Sequence, residues 1–207
     1  MLTAKKALER LLEGNQRFVS GESFQVARVG NSRRQELVDD QNPFAIVLGC
    51  SDSRVPLELV FDQGLGDLFV IRVAGNIVMP SQIGSVEFAA DKFGTKLVVV
   101  LGHSQCGAVL ATLEELEQST ESRSASLRAI VNAIRPSVEH LVEGRQECTR
   151  SELVQAAVQA NIHASVEKLV HGSEIIENLI ENEKLLVVGA EYSLETGKVT
   201  VLESVHS

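Results

Sequence analysis

Three residues with chemically active side chains follow one short apolar run. The run covers residues 43–49, and the thiol of Cys50, the carboxylate of Asp52 and the guanidinium of Arg54 come at alternate positions directly after it. Alternate residues of an extended chain share one face. If the extended geometry continues past the strand, all three side chains point into one pocket.

A second apolar run, residues 96–101, leads into His103 and Cys106. Zinc favours thiolate and imidazole ligands in a tetrahedral arrangement, and a catalytic zinc keeps one position for water. Cys50, His103 and Cys106 would therefore give a Cys2His set, with a fourth position open to water or to Asp52. Both strand ends must then lie at one edge of the sheet, as the carboxyl ends of neighbouring parallel strands do.

Other interpretations of these residues stay open. Each cysteine could be a small buried apolar residue, and the histidine a hydrogen-bonded structural residue. A structural zinc is a further alternative, although such sites normally use four protein ligands. A redox dithiol is disfavoured because the chain contains no Cys-x-x-Cys.

The Asp52–Arg54 pair also has two interpretations. Their spacing permits a charge-assisted, bidentate hydrogen bond. As an ordinary surface ion pair it would contribute little. In the functional interpretation, Arg54 holds Asp52 ready to accept a hydrogen bond from a zinc-bound hydroxide. That contact would fix the direction of the O–H bond and select the lone pair that attacks.

The composition is that of a globular protein, and residues 1–207 are expected to form one domain. The chain is 44% hydrophobic and 23% charged, and its net charge of −9 argues against binding to polyanions such as nucleic acids. No apolar run reaches the ~18 residues of a membrane helix. An amphipathic N-terminus, in place of a signal peptide, and three cysteines predict a protein of the reducing cytoplasm.

The apolar pattern predicts an α/β fold with a mainly parallel central sheet flanked by helices. Continuous apolar runs favour strands that are buried on both faces. Four parallel strands are expected at residues 43–49, 67–73, 96–101 and 185–190, and a C-terminal antiparallel strand at 199–202 after a turn at 195–198. Helices are expected at residues 3–19, 32–39, 56–61, 81–93, 106–117, 126–142, 151–170 and 173–183. Pro136 should kink or split the helix at 126–142.

The motifs Cys50-x-Asp52-x-Arg54 and His103-x-x-Cys106-Gly107 strongly resemble those of the β-class carbonic anhydrases, and the resemblance covers most of the chain. It implies one zinc ion per subunit, bound by Cys50, His103 and Cys106. It also implies a lyase that hydrates CO2 reversibly to bicarbonate and a proton through a zinc-bound hydroxide, with Asp52 and Arg54 as the catalytic dyad.

The resemblance implies a substrate pocket as well. Gln41 would bind substrate or bicarbonate across a dimer interface, and the backbone N–H of Gly107 would lie near the substrate. Phe69, Val73 and Phe88 would line an apolar pocket for CO2. From the residues alone, Gln41 equally suits a polar position closing a helix, and the three apolar residues suit an ordinary core.

Assembly and regulation follow from the same resemblance. The family forms homodimers, often paired into homotetramers, with the N-terminal helix reaching over a neighbouring subunit. In some members the aspartate ligates zinc in a closed state, so Asp52 is a further ligand candidate. A bicarbonate site known in one subclass would fall on Val47, Arg72 and Tyr192, but its tryptophan is missing here. Alternative functions are hydrolysis of CS2 or COS at the same zinc site, or non-catalytic zinc binding.

Overall fold

The computed structural model describes residues 2–23, 30–118, 124–143 and 148–205. Their central feature is a five-stranded sheet. Its strands are β1 (Ala45–Gly49), β2 (Leu68–Arg72), β3 (Leu97–His103), β4 (Leu186–Tyr192) and β5 (Val199–Val205).

The order of strands in the sheet is β2–β1–β3–β4–β5. The first four are parallel, and β5 runs antiparallel to β4. This confirms the predicted mainly parallel sheet with one C-terminal antiparallel strand. β1 and β3 are direct neighbours, so the two ligand-bearing strand ends come together as expected.

β3 and β5 are longer than predicted. β3 continues past the predicted end at Leu101 as far as His103, because both added residues pair with β4. Packing requires a glycine at position 102, since a Cβ there would lie 2.4 Å from Cγ1 of Ile162. β5 likewise continues to Val205. Strand pairing, rather than the local apolar pattern, therefore sets where these strands end.

The helices lie close to their predicted positions. They are α1 (Ala4–Ser20), α2 (Asn31–Glu36), α3 (Leu57–Val60), α4 (Pro80–Phe93), α5 (Gly107–Glu117), α6 (Ala125–Glu143), α7 (Arg150–Val170) and α8 (Glu174–Glu181). A short 3₁₀ turn, Ala74–Asn76, follows β2.

Of the two outcomes predicted at Pro136, a kink or a split of the helix, the split is wrong. α6 is one continuous helix that contains Pro136. Proline removes one helical hydrogen bond, but here its ring lies on the exposed side of the helix. The neighbouring side chains Ile134 and Val138 are fully buried, so packing of the apolar face holds the helix together across the missing bond.

The two faces of the sheet carry separate cores. Ile46 and Leu48 point to the side covered by α4, α7 and α8. The alternate residues of the same strand point to the opposite side, where Leu11 of α1 is completely buried. α1 therefore packs on the sheet of its own chain, and its reach over a neighbouring subunit stays a prediction. No helix in the described ranges has the length and apolarity needed to cross a membrane.

Candidate metal centre

Cys50 begins the first ligand turn, which we define as residues 50–54. The residue follows β1 directly, and only 5% of it is exposed. The backbone N–H of Gly75 donates a hydrogen bond to its Sγ atom over 3.3 Å. Gly75 adopts a left-handed φ of +72°, and a Cβ on it would lie 2.8 Å from Cδ1 of Ile134. The glycine is needed both for this backbone conformation and for its close approach to α6.

His103 and Cys106 bound the second ligand turn, residues 103–106. Nδ1 of His103 lies 2.9 Å from the carbonyl oxygen of Ser104, so Nδ1 carries the proton and donates it to that carbonyl. Nε2 is then a bare lone pair, and it is buried with no hydrogen-bond partner. Gln105 takes a left-handed φ of 55° to tighten the turn, and Cys106 precedes the first residue of α5.

The structure brings the three predicted ligands together. Sγ of Cys50, a ring nitrogen of His103 and Sγ of Cys106 all lie within 4.8 Å of one another, and all three residues are buried. Tetrahedral zinc with bonds of about 2.0–2.3 Å places its ligand atoms roughly 3.3–3.8 Å apart. A small inward movement of these side chains therefore suits zinc, and the unpartnered Nε2 gains the partner that its burial demands.

The two thiols perturb each other strongly. The hydrogen bond with Cys106 lowers the pKa of Cys50 to about 4, helped by the hydrogen bond from the Gly75 N–H. The same contact raises the pKa of Cys106, and burial raises it further. Two adjacent thiolates repel each other in a buried site, so one proton is retained between them. A divalent cation would replace that proton, which is how thiolate metal sites couple binding to proton release.

Asp52 and Arg54 form a bidentate pair beside the cluster. Nε and Nη2 of Arg54 donate to the two carboxylate oxygens over 2.9 and 2.8 Å, and the Arg54 backbone N–H adds a third bond of 2.9 Å. The Arg54 side chain holds the pKa of Asp52 well below its usual range. Oδ2 of Asp52 lies 3.8 Å from Nε2 of His103. The carboxylate therefore sits next to the metal-facing nitrogen while the guanidinium holds it.

Arg72 has contacts that its sequence position did not reveal. It ends β2, and its guanidinium donates to the carbonyl oxygens of Cys50 and Asp52 over 3.0 and 2.7 Å. Val47 and Tyr192, the other two positions compared with the bicarbonate site, belong to the buried core beneath α1. Arg72 thus contacts the backbone of the first ligand turn.

The predicted substrate residues lie in different places. Val73 packs against the apolar cluster that contains the two ligand cysteines. Gly107 opens α5, with open space where a Cβ would be. Phe69 and Phe88 contact each other on another part of the sheet, with ring centroids 6.3 Å apart, and Phe88 is 53% exposed. Gln41 is exposed as well. The roles of these residues in binding substrate stay predictions.

Two supporting groups of the site were not predicted. Asn161, 3% exposed in the middle of α7, donates to the carbonyl oxygen of Gly75 over 2.8 Å. The hydroxyl of Ser104 donates to the Glu195 carboxylate over 2.8 Å and accepts from the Leu194 N–H over 2.9 Å. An amide on the buried face of an apolar helix is a usable signal for the first group. The second depends on contacts between residues about ninety positions apart.

Together, the fold and the site define a class of protein. It is an α/β protein with a mainly parallel sheet, a buried Cys2His cluster at the carboxyl edge of the parallel strands, and a carboxylate–guanidinium pair beside the cluster. The family model described as carbonic anhydrase matches residues 45–199. The chain belongs to the β-carbonic anhydrase family, which confirms the resemblance found in its motifs.

Individual relatives agree with this assignment. The chain is 37% identical to carbonic anhydrase 2 of Mycobacterium tuberculosis over 199 residues, which cover 96% of this chain and 93% of the relative. It is 38% identical to a carbonic anhydrase of Mycolicibacterium smegmatis, over 93% of this chain and 90% of that one.

Solved structures show the same likeness. The β-carbonic anhydrase CcaA superposes with a TM-score of 0.72 at 28% identity, over 95% of this chain and 87% of that chain. A structure from a study of two tetrameric β-carbonic anhydrases of Sordaria macrospora superposes with a TM-score of 0.69 at 27% identity, over 82% and 85% of the two chains.

Proposed function

We propose that the protein catalyses the reversible hydration of CO2 to bicarbonate and a proton, with one zinc ion per subunit held by Cys50, His103 and Cys106. One observation carries this proposal. A buried imidazole nitrogen without a partner faces two mutually perturbed thiols, and an oriented carboxylate lies 3.8 Å from that nitrogen. The family assignment supports the same reaction.

The residues divide the chemistry among themselves. Zinc, when bound, supplies a Lewis acid that lowers the pKa of a water molecule towards about 7. Asp52 accepts a hydrogen bond from the attacking O–H, so that an oxygen lone pair points at the carbon of CO2. Arg54 keeps Asp52 ionised and fixes its orientation through two parallel hydrogen bonds. Asp52 therefore acts in this proposal as an orienting acceptor.

CO2 is apolar, and the proposed substrate side of the site matches that property. Val73 borders the ligand cluster, and Gly107 places an N–H at the first turn of α5, where a helix favours an anion such as bicarbonate. Phe69 and Phe88 would add to the apolar lining of the pocket, and Gln41 would reach it from a second copy of the chain. Their partial exposure in one chain supports this role.

A homodimer or homotetramer is part of the same proposal. The described relatives of Sordaria macrospora are tetrameric β-carbonic anhydrases. In such an assembly α1 would lie on its own sheet and extend to the neighbouring subunit. Residues 1–207 would act as one catalytic domain. The reducing cytoplasm suits the chain because Cys50 and Cys106 are free and adjacent, and an oxidised pair could not bind a metal.

A second state of Asp52 is included in the proposal. Its carboxylate is already near the metal-facing nitrogen, so release from Arg54 would let it occupy the fourth ligand position. That state would close the site to substrate. Lower pH would favour it if the open state depends on an ionised nucleophile.

Stopped-flow CO2 hydration by the zinc-loaded protein tests the proposal. We expect turnover that needs stoichiometric zinc and that disappears on chelation. CS2 and COS should be assayed on the same preparation, because hydrolysis of either with no CO2 hydration would assign the site to the alternative substrate. Stoichiometric zinc without turnover of any of the three compounds would indicate a non-catalytic zinc protein.

A further inference from the structure

Arg72 lies where the side chain of one strand can reach the ligand turn of the next. It is the last residue of β2 and pairs in register with Gly49, the last residue of β1. Its guanidinium therefore leaves the sheet beside Cys50. Nε donates to the Cys50 carbonyl over 3.0 Å, and Nη2 donates to the Asp52 carbonyl over 2.7 Å.

The first ligand turn has few other backbone bonds. Val73 N–H donates to the Gly49 carbonyl over 3.1 Å just before the turn, and Val55 N–H donates to the Asp52 carbonyl over 3.0 Å at its end. Between these points the chain has left the sheet. The guanidinium bridges the first and third peptide carbonyls of the turn, so it restrains the segment that carries both the thiol and the carboxylate.

The chemistry of arginine suits this task. Its planar guanidinium presents several N–H donors in a rigid fork, whereas a lysine ammonium is a compact point charge on a flexible stem. Two carbonyls separated along the chain can be fixed together by the fork. Arg54 acts on a different part of Asp52, since it binds the carboxylate. The two arginines thus restrain the backbone and the side chain of one residue separately.

We propose that Arg72 is a positioning residue of the metal centre. By holding the carbonyls of Cys50 and Asp52, it aims the Cys50 thiol at the metal and keeps the Asp52 carboxylate on Arg54, away from the fourth ligand position. The inference rests on the metal-binding role given under the proposed function. It assigns to Arg72 a control over the open and closed states that acts through the backbone.

The test compares Arg72→Met with Arg72→Lys and with the control Arg150→Met. Arg150 is a partly exposed arginine that pairs with Glu117 across 2.7 Å. Arg150→Met therefore removes one paired arginine, as Arg72→Met does, but leaves the metal centre unchanged. Zinc affinity is measured by competition with a chromophoric chelator. Cobalt(II) is then substituted, because its visible spectrum reports which atoms coordinate the metal.

Arg72→Met should weaken metal binding by about 10-fold, the lower end of the range for groups that support metal ligands. Arg54→Met serves as a reference, because its Asp52 carboxylate has lost the guanidinium that binds it. The cobalt spectrum of Arg72→Met should shift towards the spectrum of this reference. The shift should vanish when Arg72→Met is combined with Asp52→Ala, since no carboxylate is then present to bind. Arg72→Lys should retain part of the affinity, and Arg150→Met should match the wild type.

Each contrary outcome has a definite meaning. A wild-type protein that binds neither zinc nor cobalt would remove the proposed function and this inference together. If the wild type binds both and Arg72→Met is identical in affinity and spectrum, the inference alone is overturned. A weaker affinity with an unchanged spectrum would show general loosening and would also overturn it. Should Arg72→Met fail to unfold cooperatively, Arg72→Lys decides, because wild-type behaviour there would exclude a need for the forked contact.

Discussion

The two ligand turns of the metal centre are held in different ways. The second turn continues the pairing of β3 with β4: Ser104 N–H donates to the Tyr192 carbonyl over 2.9 Å, and the Ser104 hydroxyl contacts Glu195. His103 within it is completely buried. The first turn leaves the sheet at Cys50, and exposed guanidinium groups restrain it. The fold thus supplies two candidate ligands from a turn fixed by strand pairing, and from the other turn a candidate ligand next to a carboxylate that Arg54 holds.

Removing a ligand from the second ligand turn should have the largest effect on metal binding. We expect His103→Ala to lose more than about 100-fold in metal affinity, beyond the range for residues that only support ligands, and to lose CO2 hydration with it. Metal content after dialysis against a weak chelator measures this. His163→Ala is the matched control, because the His163 side chain is 65% exposed and pairs with Glu203. Retention of one zinc per subunit by His103→Ala would contradict the ligand assignment.

Removing the charge from the Asp52 carboxylate should reduce turnover while leaving the metal bound. Asp52→Asn keeps the shape of the side chain but weakens the acceptor and the contact with Arg54. We expect kcat to fall by about 100-fold, the lower end of the range for losing one preorganised hydrogen-bonding group, with zinc content unchanged. Asp39→Asn, at an exposed position, is the control. A variant with wild-type kcat would show that Asp52 does not orient the nucleophile.

The hydrogen bond from the 3₁₀ turn to Cys50 gives a third test of how the two ligand turns are held. Gly75→Ala adds both left-handed backbone strain and a Cβ only 2.8 Å from Ile134 Cδ1 and 3.0 Å from Ala108 Cβ. Gly21→Ala adds the strain alone, since at φ +78° its Cβ would have no neighbour within 4 Å. Left-handed strain costs roughly 1–2 kcal/mol.

Gly75→Ala should therefore be destabilised by that amount and by about 1–3 kcal/mol more for overpacking. Chemical denaturation of both metal-free variants measures the difference. Gly75→Ala should also bind zinc more weakly, because the N–H that donates to the Cys50 sulfur is displaced. Equal destabilisation of the two variants would mean that Ile134 and Ala108 move away from the added Cβ with no loss in the free energy of unfolding.

The sequence could predict the edge of the sheet where the site lies, and the reason is local. Continuous apolar runs end just before Cys50 and near His103, and the carboxyl ends of parallel strands share one edge. The thiol and imidazole types then point to zinc. The Asp52–Arg54 contact is also local, because two positions of separation suffice for it.

The contacts of Arg72 and Asn161 could not be predicted in the same way. The reach of Arg72 depends on the pairing of Gly49 with residue 72, which fixes two strands relative to each other. Asn161 contacts a residue 86 positions away. The polar type at a buried helical position was visible, but the identity of its partner depends on packing. Side chains expected to act across a dimer interface depend on a second copy and are not determined by one chain's fold.

Acidification should have the smallest effect of these tests, and the effect is on the free energy of unfolding. It should distinguish the two ligand turns because each turn contacts a different carboxylate. Arg54 lowers the pKa of Asp52 from its usual 3.8, and hydrogen bonding from Ser104 lowers that of Glu195 from its usual 4.5. A carboxyl group whose pKa is lower in the folded state stabilises the fold at pH values above its unfolded pKa, and this contribution is lost as the pH falls through the folded pKa. Both contributions are therefore present at neutral pH.

On acidification, the Glu195 contribution should begin to decline below about pH 5 and the Asp52 contribution below about pH 4. Urea unfolding of the metal-free protein at neutral and acidic pH measures the free energy of unfolding. This free energy should depend less on pH in Glu195→Gln over the interval that begins below about pH 5, and in Asp52→Asn over the interval that begins below about pH 4. Both side chains have access to solvent, so the changes should be small. If Asp52→Asn instead flattened the curve only above pH 5, the guanidinium would not be holding the carboxylate ionised. The contrast between a turn fixed by strand pairing and a turn fixed by charge would then fail at Asp52.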